Sequence, residues 1–187
     1  MTRSSAVPTF LVALALLTSG CGYNTIQTMD ETVNQAKGQI ETQLQRRADL
    51  VPNLVETVRG VAKQESTIFI SVAESRARLS GAVQSGDVEE MAQANQALTQ
   101  GIGRLLAIVE NYPELRSSES FRALQDQLEG TENRISVARQ DYNASVGTYN
   151  AYIRRFPYNL TARIFGQGPR EYFEAAPGAE EVPRVQF

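Results

Sequence analysis

The pattern that most constrains this chain is a repeat of apolar and small side chains every three and four residues over residues 118–156. A strict seven-residue spacing places these side chains in one stripe along a helix, and another helix must cover that stripe. Ser118 is the expected N-cap, and the segment ends before Pro157. The sequence therefore predicts a helix about 54 Å long, packed in a bundle. The stripe consists of Phe121, Leu124, Leu128, Thr131, Ile135, Ala138, Tyr142, Ser145, Tyr149, Tyr152 and Phe156.

Three further segments carry apolar residues at helical spacing. We expect helices from Thr25 to Arg47, from Leu50 to Ser80, and from Asp87 to just before Pro113. In the third, the string DVEE predicts a capping box in which Asp87 caps the helix and a glutamate reaches back. The four segments predict an all-α fold, an antiparallel up-and-down four-helix bundle with long helices over residues 25–156.

Residues 157–187 break the helical pattern, because proline and glycine recur through them. They still contain several aromatic and aliphatic side chains, which a fully disordered tail would seldom carry. We expect one short helix near Leu160–Phe165, followed by an extended tail whose aromatic side chains lie against the bundle.

The stretch DLVPNLV, residues 49–55, predicts a corner between the first two helices. Asp49 is the expected N-cap of the second helix, and Pro52 falls in its first turn, where a missing N–H is harmless. Asn53 is placed to hydrogen-bond a neighbouring backbone group. The structural interpretation is a helix corner that closes the core, and the alternative is a ligand site at this end of the bundle.

Glu65 falls on the apolar stripe of the second predicted helix. A buried carboxylate must be hydrogen-bonded, ion-paired or protonated. The structural interpretation is a polar layer that fixes the helix register, with Arg76 or hydroxyls of the fourth helix as partners. Half-exposure is one alternative, and a cation site shared with Glu110 or Glu132 is another. No acidic loop repeat supplies the several oxygen ligands that calcium or magnesium would need. Glu132 itself lies off the heptad stripe, as residues of surface or inter-helix ion pairs do.

The first 20 residues have the pattern of a secretory signal peptide. Arg3 precedes an apolar run from Ala6 to Leu17, and the small residues Thr18 to Gly20 follow. As a helix the run would be about 18 Å long, shorter than the roughly 30 Å hydrocarbon core, so a spanning helix is the less favoured interpretation. Cys21 comes next, and the stretch resembles the lipobox of bacterial lipoproteins, in which this cysteine becomes the acylated N-terminus.

Cys21 is therefore the expected lipid-attachment residue, and residues 21–24 are the expected lipidated N-terminus and short linker. It is the only cysteine, and an unpaired thiol would be a liability in an oxidising compartment. A cysteine that falls near the cleavage site by chance is the alternative. Two or more acyl chains give stable anchoring. We expect the protein on the outside of the cytoplasmic membrane. In a Gram-negative host we expect the periplasmic face of the outer membrane, because Gly22 and not an aspartate follows the cysteine.

Composition excludes several functional classes. The chain has 18 basic and 21 acidic residues and a net charge of −3, which disfavours a nucleic-acid partner. It has no histidine, so Ser-His-Asp hydrolysis and imidazole-ligated zinc or di-iron sites are excluded. We expect no cofactor and no metal. The expected partners are the lipid bilayer, through acylated Cys21, and envelope proteins or a second copy of the chain.

Three long stretches, residues 43–65, 105–143 and 149–166, resemble the LemA family, and the closing PRVQF is also typical of it. The resemblance runs from Tyr23 to Phe187. It implies an all-helical antiparallel bundle held at a membrane by an N-terminal segment. Most members have an apolar helix there, and this chain is expected to use a lipidated cysteine instead. The family has no agreed enzymatic activity, so the resemblance leaves the mechanism open.

Two functional hypotheses follow. The first is a membrane-anchored, non-enzymatic helical scaffold or interaction module of the cell envelope. The second is an envelope enzyme or accessory subunit with a carboxylate-based site, able to hold a divalent cation, at one end of the bundle. The first is favoured because the usual nucleophile–base pairs are absent. A pocket in which Glu65 or Glu132 converges with two other oxygens would favour the second, whereas pairing with arginines or hydroxyls would disfavour it.

Overall fold

A computed structural model of the chain describes the backbone of residues 6–62 and 64–174 and the side chains of residues 22–62 and 64–174. The all-α prediction is confirmed, because the described residues form helices and no strand. Residues 1–5, the side chains of residues 6–21 and the tail beyond Glu174 lie outside what is described, and the signal peptide and the acylation of Cys21 stay predictions. The helices are α1 (Ala6–Arg59), α2 (Ser66–Ser85), α3 (Val88–Val109), α4 (Pro113–Ser117), α5 (Glu119–Ile153) and α6 (Tyr158–Ile164).

The described residues divide into two compact units. Unit 1 comprises those up to Lys37, together with residues 141–172, and so contains the end of α5, α6 and the segment after it. Unit 2 comprises residues 38–140 with Phe173 and Glu174, and so contains α2, α3, α4 and parts of α1 and α5.

The predicted corner at residues 49–55 is wrong, because α1 continues through it. The buried stripe is unbroken along this part of α1, so the core face never changes direction there. The chain turns only after Arg59, where the amides of Gly60 and Ala62 still bond back to α1 carbonyls. The helix also begins upstream of the predicted Thr25. The buried side chains of this stretch are Ile40, Leu44, Ala48, Val51, Leu54 and Val58.

Pro52 lies inside α1 and leaves one helix carbonyl without its usual donor. In an α-helix the N–H of residue 52 would bond the carbonyl of Ala48, but proline has no N–H. Arg76 of α2 replaces that donor, because its Nε donates to the Ala48 oxygen at 2.8 Å. Ala48 is fully buried, and an unpaired buried carbonyl would cost about 1–3 kcal/mol. A side chain from a second helix thus lets α1 contain a proline.

We expect Arg76→Met to lower the free energy of unfolding by about 1–2 kcal/mol, because the Ala48 carbonyl loses its donor. Pro52→Ala restores a backbone N–H at position 52, so the same Arg76→Met change should cost about half as much, or less, in that background. Urea denaturation of the four chains measures both costs. Equal costs in the two backgrounds would show that Arg76 does not serve this carbonyl.

The end of α2 and the start of α3 follow local capping rules. Gly86 ends α2 in the left-handed region, at φ 70°, and its N–H donates to the Ala82 oxygen. Asp87 caps α3 as predicted, since its Oδ1 accepts from the Glu90 N–H at 2.9 Å. The Glu90 carboxylate accepts from the Ser85 hydroxyl at 3.1 Å and does not reach the Asp87 N–H.

The predicted cap of the longest segment is also confirmed, because the Ser118 hydroxyl accepts from the Phe121 N–H at 3.3 Å. At the other end, α5 stops at Ile153 and not at the predicted Phe156. The chain then turns through a cis peptide bond before Pro157, and α6 begins at Tyr158.

The predicted heptad stripe of α5 shifts by one residue near its end. Val146 and Ile153 are buried, whereas their predicted neighbours Ser145 and Tyr152 are only partly buried. A straight helix repeats every 3.6 residues, so a stripe read at 3.5 drifts over several turns. The drift here brings the more apolar residue of each neighbouring pair to the core.

Candidate functional site

The clearest candidate site in unit 2 is a buried charged layer formed by Arg47 of α1, Asn95 of α3 and Glu132 of α5, which we call the Arg47 layer. Arg47 is 4% exposed. Its Nη1 donates to Asn95 Oδ1 at 2.6 Å and lies 2.5 Å from Glu132 Oε2. Three helices therefore meet at one guanidinium group.

The ion pair in this layer is held by charge more than by hydrogen-bond geometry. Glu132 Oε2 and Arg47 Nε are buried, and no described residue offers either a well-oriented hydrogen bond. The rest of the Glu132 side chain reaches solvent, with 45% of its surface exposed. Burial lowers the pKa of Arg47 from its ordinary value, and the Glu132 carboxylate opposes that effect. Because arginine stays protonated in proteins, Arg47 keeps its positive charge inside the unit, opposite the Glu132 carboxylate.

Sequence reasoning missed Arg47 because it stood at the end of a predicted helix, next to the predicted corner. One signal could have found it. Arg47 lies three residues after Leu44 and four before Val51, both buried, so helical spacing places all three on one face. Asn95 follows the same logic in α3, where it is buried beside Met91 on the apolar stripe.

Of the predicted site residues, the structure brings Glu132 alone into this layer. Asp49 and Asn53 are exposed on α1; the Asp49 carboxylate accepts from Gln45 Nε2 at 2.9 Å, so its predicted capping role is replaced by a contact within the helix. The predicted core position of Glu65 is wrong. Glu65 is exposed, because α2 begins only after it, and its side chain makes no capping hydrogen bond. An interaction role for these exposed residues stays a prediction.

A second candidate lies in unit 1, where an extended segment, residues 167–172, is held by side chains of α1 and α5. Asn150 of α5 is buried, and its amide donates to the Arg170 carbonyl and accepts from the Arg170 N–H, both at 2.8 Å. One side chain thus pairs with a backbone as a neighbouring strand would. The Arg170 guanidinium donates twice to Asp30 Oδ1, at 2.9 and 2.7 Å.

We call the extended segment at residues 167–172, together with the side chains that hold it, the clasp. Two buried tyrosines of α5 complete it. The Tyr142 hydroxyl donates to the Glu171 carbonyl at 2.9 Å, and the Tyr149 hydroxyl donates to Gln167 Oε1 at 3.0 Å. Burial raises the pKa of Tyr142, with Arg170 opposing and Glu171 adding to the effect. Burial likewise raises the pKa of Tyr149. Both phenols therefore remain neutral donors at ordinary pH.

The residue after the clasp, Phe173, belongs to unit 2 and is 2% exposed. The guanidinium carbon of Arg139 lies 5.1 Å from the centre of its ring, a distance typical of a cation–π contact. Phe173 is therefore a buried aromatic side chain of unit 2, and the packing of the whole tail on the bundle stays a prediction. Tyr172 is 44% exposed, and Phe187 lies outside the described residues.

Open surface clefts add little chemistry to these two sites. One of about 710 Å³ lies at the turn between α1 and α2, where the Arg59 guanidinium lies 5.3 Å from the Phe69 ring centre. In the part of the chain that the structure describes, no three cysteine or acidic side chains come close enough to hold a metal ion. The carboxylate-site hypothesis gains no support from Glu132, which faces Arg47, or from the exposed Glu65.

Known proteins match this chain over most of its length. The family model described as "LemA family" matches residues 36–187, which include the whole Arg47 layer and the clasp partners on α5. The chain belongs to the LemA family. The described residues of this LemA protein contain no helix long and apolar enough to span a bilayer.

Three curated relatives of this LemA protein are magnetosome proteins. They are named MamQ 2 and MamQ 1 of Paramagnetospirillum magneticum strain AMB-1, and MamQ of Magnetospirillum gryphiswaldense strain MSR-1. Each is 31% identical over 181 residues, an alignment that covers 84% of this chain and 66% of the relative. The chain thus spans just under two thirds of the length of these relatives.

Proposed function

We propose that this protein is a membrane-anchored lipoprotein of the cell envelope that acts as a non-enzymatic helical scaffold or interaction module. The observation that carries the proposal is how soon packed structure follows Cys21. Gly22 is buried, and a Cβ added there would lie 2.6 Å from Tyr158 Cδ1. The rings of Tyr23 and Phe165 lie 4.4 Å apart. Acyl chains on Cys21 would therefore hold unit 1 directly at the membrane surface.

Two observations support a structural role, one from the names of the relatives and one from the core of unit 2. The MamQ relatives are named for a cellular structure, the magnetosome, and not for a reaction. The buried guanidinium group of Arg47 in unit 2 contacts side chains of two other helices. Long helices fixed in this way offer extended surfaces to envelope proteins or to a second copy of the chain. No cofactor and no nucleic acid enters the proposal.

The proposal includes an antiparallel up-and-down four-helix arrangement of α1, α2, α3 and α5 in unit 2. Its support is the short connections at residues 60–65 and 86–87, which favour antiparallel neighbours. Arg47 links α1 to α3 and α5, and Arg76 links α2 to α1. The proposed location is the outside of the cytoplasmic membrane, or the periplasmic face of the outer membrane in a Gram-negative host.

Metabolic labelling with palmitate in the native host tests the anchor. The protein should incorporate label, and Cys21→Ser should abolish incorporation, because the thiol is the expected acylation site. Ser19→Ala, two residues away and equally small, is the matched control and should keep the label. Label that persists in Cys21→Ser would overturn the lipoprotein assignment.

A further inference from the structure

Unit 1 carries a cluster of exposed apolar side chains on and beside α6. Phe156 is 80% exposed, Leu160 51%, Ile164 76% and Phe165 54%. Leu160 and Ile164 are four residues apart in α6, so they share one face of that helix. We call these four residues the α6 patch. Single exposed apolar residues are ordinary on protein surfaces, but several within ten residues of sequence mark an interaction surface.

The charged residues in the sequence segment that contains the patch have one sign. From Tyr142 to Arg170 the sequence contains four arginines, no lysine and no aspartate or glutamate, although the whole chain is acidic. Arg154, Arg155 and Arg163 are exposed and lie beside the patch in sequence. The fourth, Arg170, is paired with Asp30. Between Ser4 and Met29 the sequence has no charged residue at all. An apolar surface with arginines and no acidic neighbours in its own segment is complementary to anionic lipid headgroups.

The patch also lies next to the proposed anchor. α6 packs on the residues that follow Cys21, because Gly22 approaches Tyr158 and the Tyr23 ring contacts Phe165. Tyr158 in turn stacks on Tyr152, with ring centres 4.3 Å apart. Tyrosine is enriched where one end of a side chain is in hydrocarbon and the other in water. A bilayer held at Cys21 would therefore lie next to α6.

We propose that the α6 patch lies in the headgroup region of an anionic bilayer, with Phe156, Leu160, Ile164 and Phe165 inserted and Arg154, Arg155 and Arg163 contacting lipid phosphates. The patch gives the protein a second membrane contact, in addition to the acyl chains. Helices of this kind lie along the interface with their apolar side about 5–10 Å into the boundary between headgroups and acyl chains. The arginine stems extend along that boundary while their charged ends stay hydrated.

The absence of tryptophan from the sequence makes a direct test available. The full chain, carrying the single substitution Ile164→Trp or Phe156→Trp, is reconstituted into phosphatidylethanolamine and phosphatidylglycerol vesicles whose acyl chains carry bromine. Both positions are exposed, so neither change disturbs the core. Ile70→Trp is the matched control, since Ile70 is a 58% exposed isoleucine of α2, in unit 2.

For Ile164→Trp and Phe156→Trp we expect the tryptophan emission to be blue-shifted on the vesicles. We also expect it to be about twofold or more weaker with brominated than with ordinary lipid. For Ile70→Trp the emission should be the same with both lipids. Adding Arg154→Gln, Arg155→Gln and Arg163→Gln to Ile164→Trp should reduce the quenching in anionic vesicles. Unquenched emission at both patch positions would overturn the proposal. So would equal quenching at Ile70, or a blue shift that bromine does not quench, which would indicate a protein partner such as a second copy.

This inference rests on the proposed function for placing the chain at a membrane, but the two can fail separately. Palmitate label on Cys21 without quenching at either patch position would keep the acyl anchor and overturn the patch. Quenching at Ile164 without label would keep the patch and overturn the acyl anchor.

Discussion

Glu132→Ala is expected to lower the free energy of unfolding by about 3 kcal/mol. The substitution leaves Arg47 charged and 4% exposed, without the carboxylate that faces it. Removing one partner of a buried ion pair typically costs about 3–5 kcal/mol, because the other charge stays buried and uncompensated. The lower end of that range applies here, because the half-exposed Glu132 marks the side from which water can reach the guanidinium.

The controls for this prediction lie in the same helices. Glu129→Ala, one turn earlier on α5, removes an exposed carboxylate that accepts from Gln125 Nε2 at 3.1 Å, and it should cost about 0.5 kcal/mol or less. Arg47→Met removes the buried charge itself, so the double variant Arg47→Met/Glu132→Ala should cost less than the sum of its single variants. Urea denaturation of these four variants and of the unsubstituted chain measures the costs. If Glu132→Ala were no more costly than Glu129→Ala, the Arg47 layer would not stabilise unit 2.

Phe173→Ala is expected to cost about 3–4 kcal/mol, because it deletes a ring that is 2% exposed and leaves a cavity beside Arg139. The neighbouring Tyr172 offers a matched aromatic control, since it is 44% exposed. Tyr172→Ala should cost about 1 kcal/mol or less. Thermal unfolding followed by circular dichroism compares the two. Similar losses of stability for both variants would contradict the assignment of Phe173 as a core residue.

Much of the fold could be predicted from the sequence because helix periodicity and helix caps are local. The apolar spacing of α3 and α5, and the caps at Asp87 and Ser118, need only residues within one turn. The corner at residues 49–55 failed because the rule that proline ends a helix is also local. The donor that replaces the missing N–H of Pro52 comes from Arg76, on another helix, and no pattern around residue 52 reveals it.

The candidate sites were harder to predict for the same physical reason. Arg47 and Asn95 are 48 residues apart in sequence. Each one, considered without the other, has the pattern of an ordinary polar residue of a helix. The clasp depends on one amide side chain, Asn150, which pairs with the backbone of Arg170. Backbone pairing by a side chain leaves no periodic signal. Glu65, the acidic residue in the predicted stripe, is exposed and not buried as predicted. The reason is that α2 begins 16 residues later than predicted, at Ser66 and not at Leu50.

The close approach at Gly22 restricts which residues can directly follow Cys21. Under the proposed lipoprotein assignment, an aspartate at that position would favour retention at the inner membrane. Any side chain at position 22 would displace the Tyr158 ring, since even a Cβ would lie 2.6 Å from it. Under that proposal, a substitution at position 22 that changed the membrane to which the protein is sent would also displace a ring of α6.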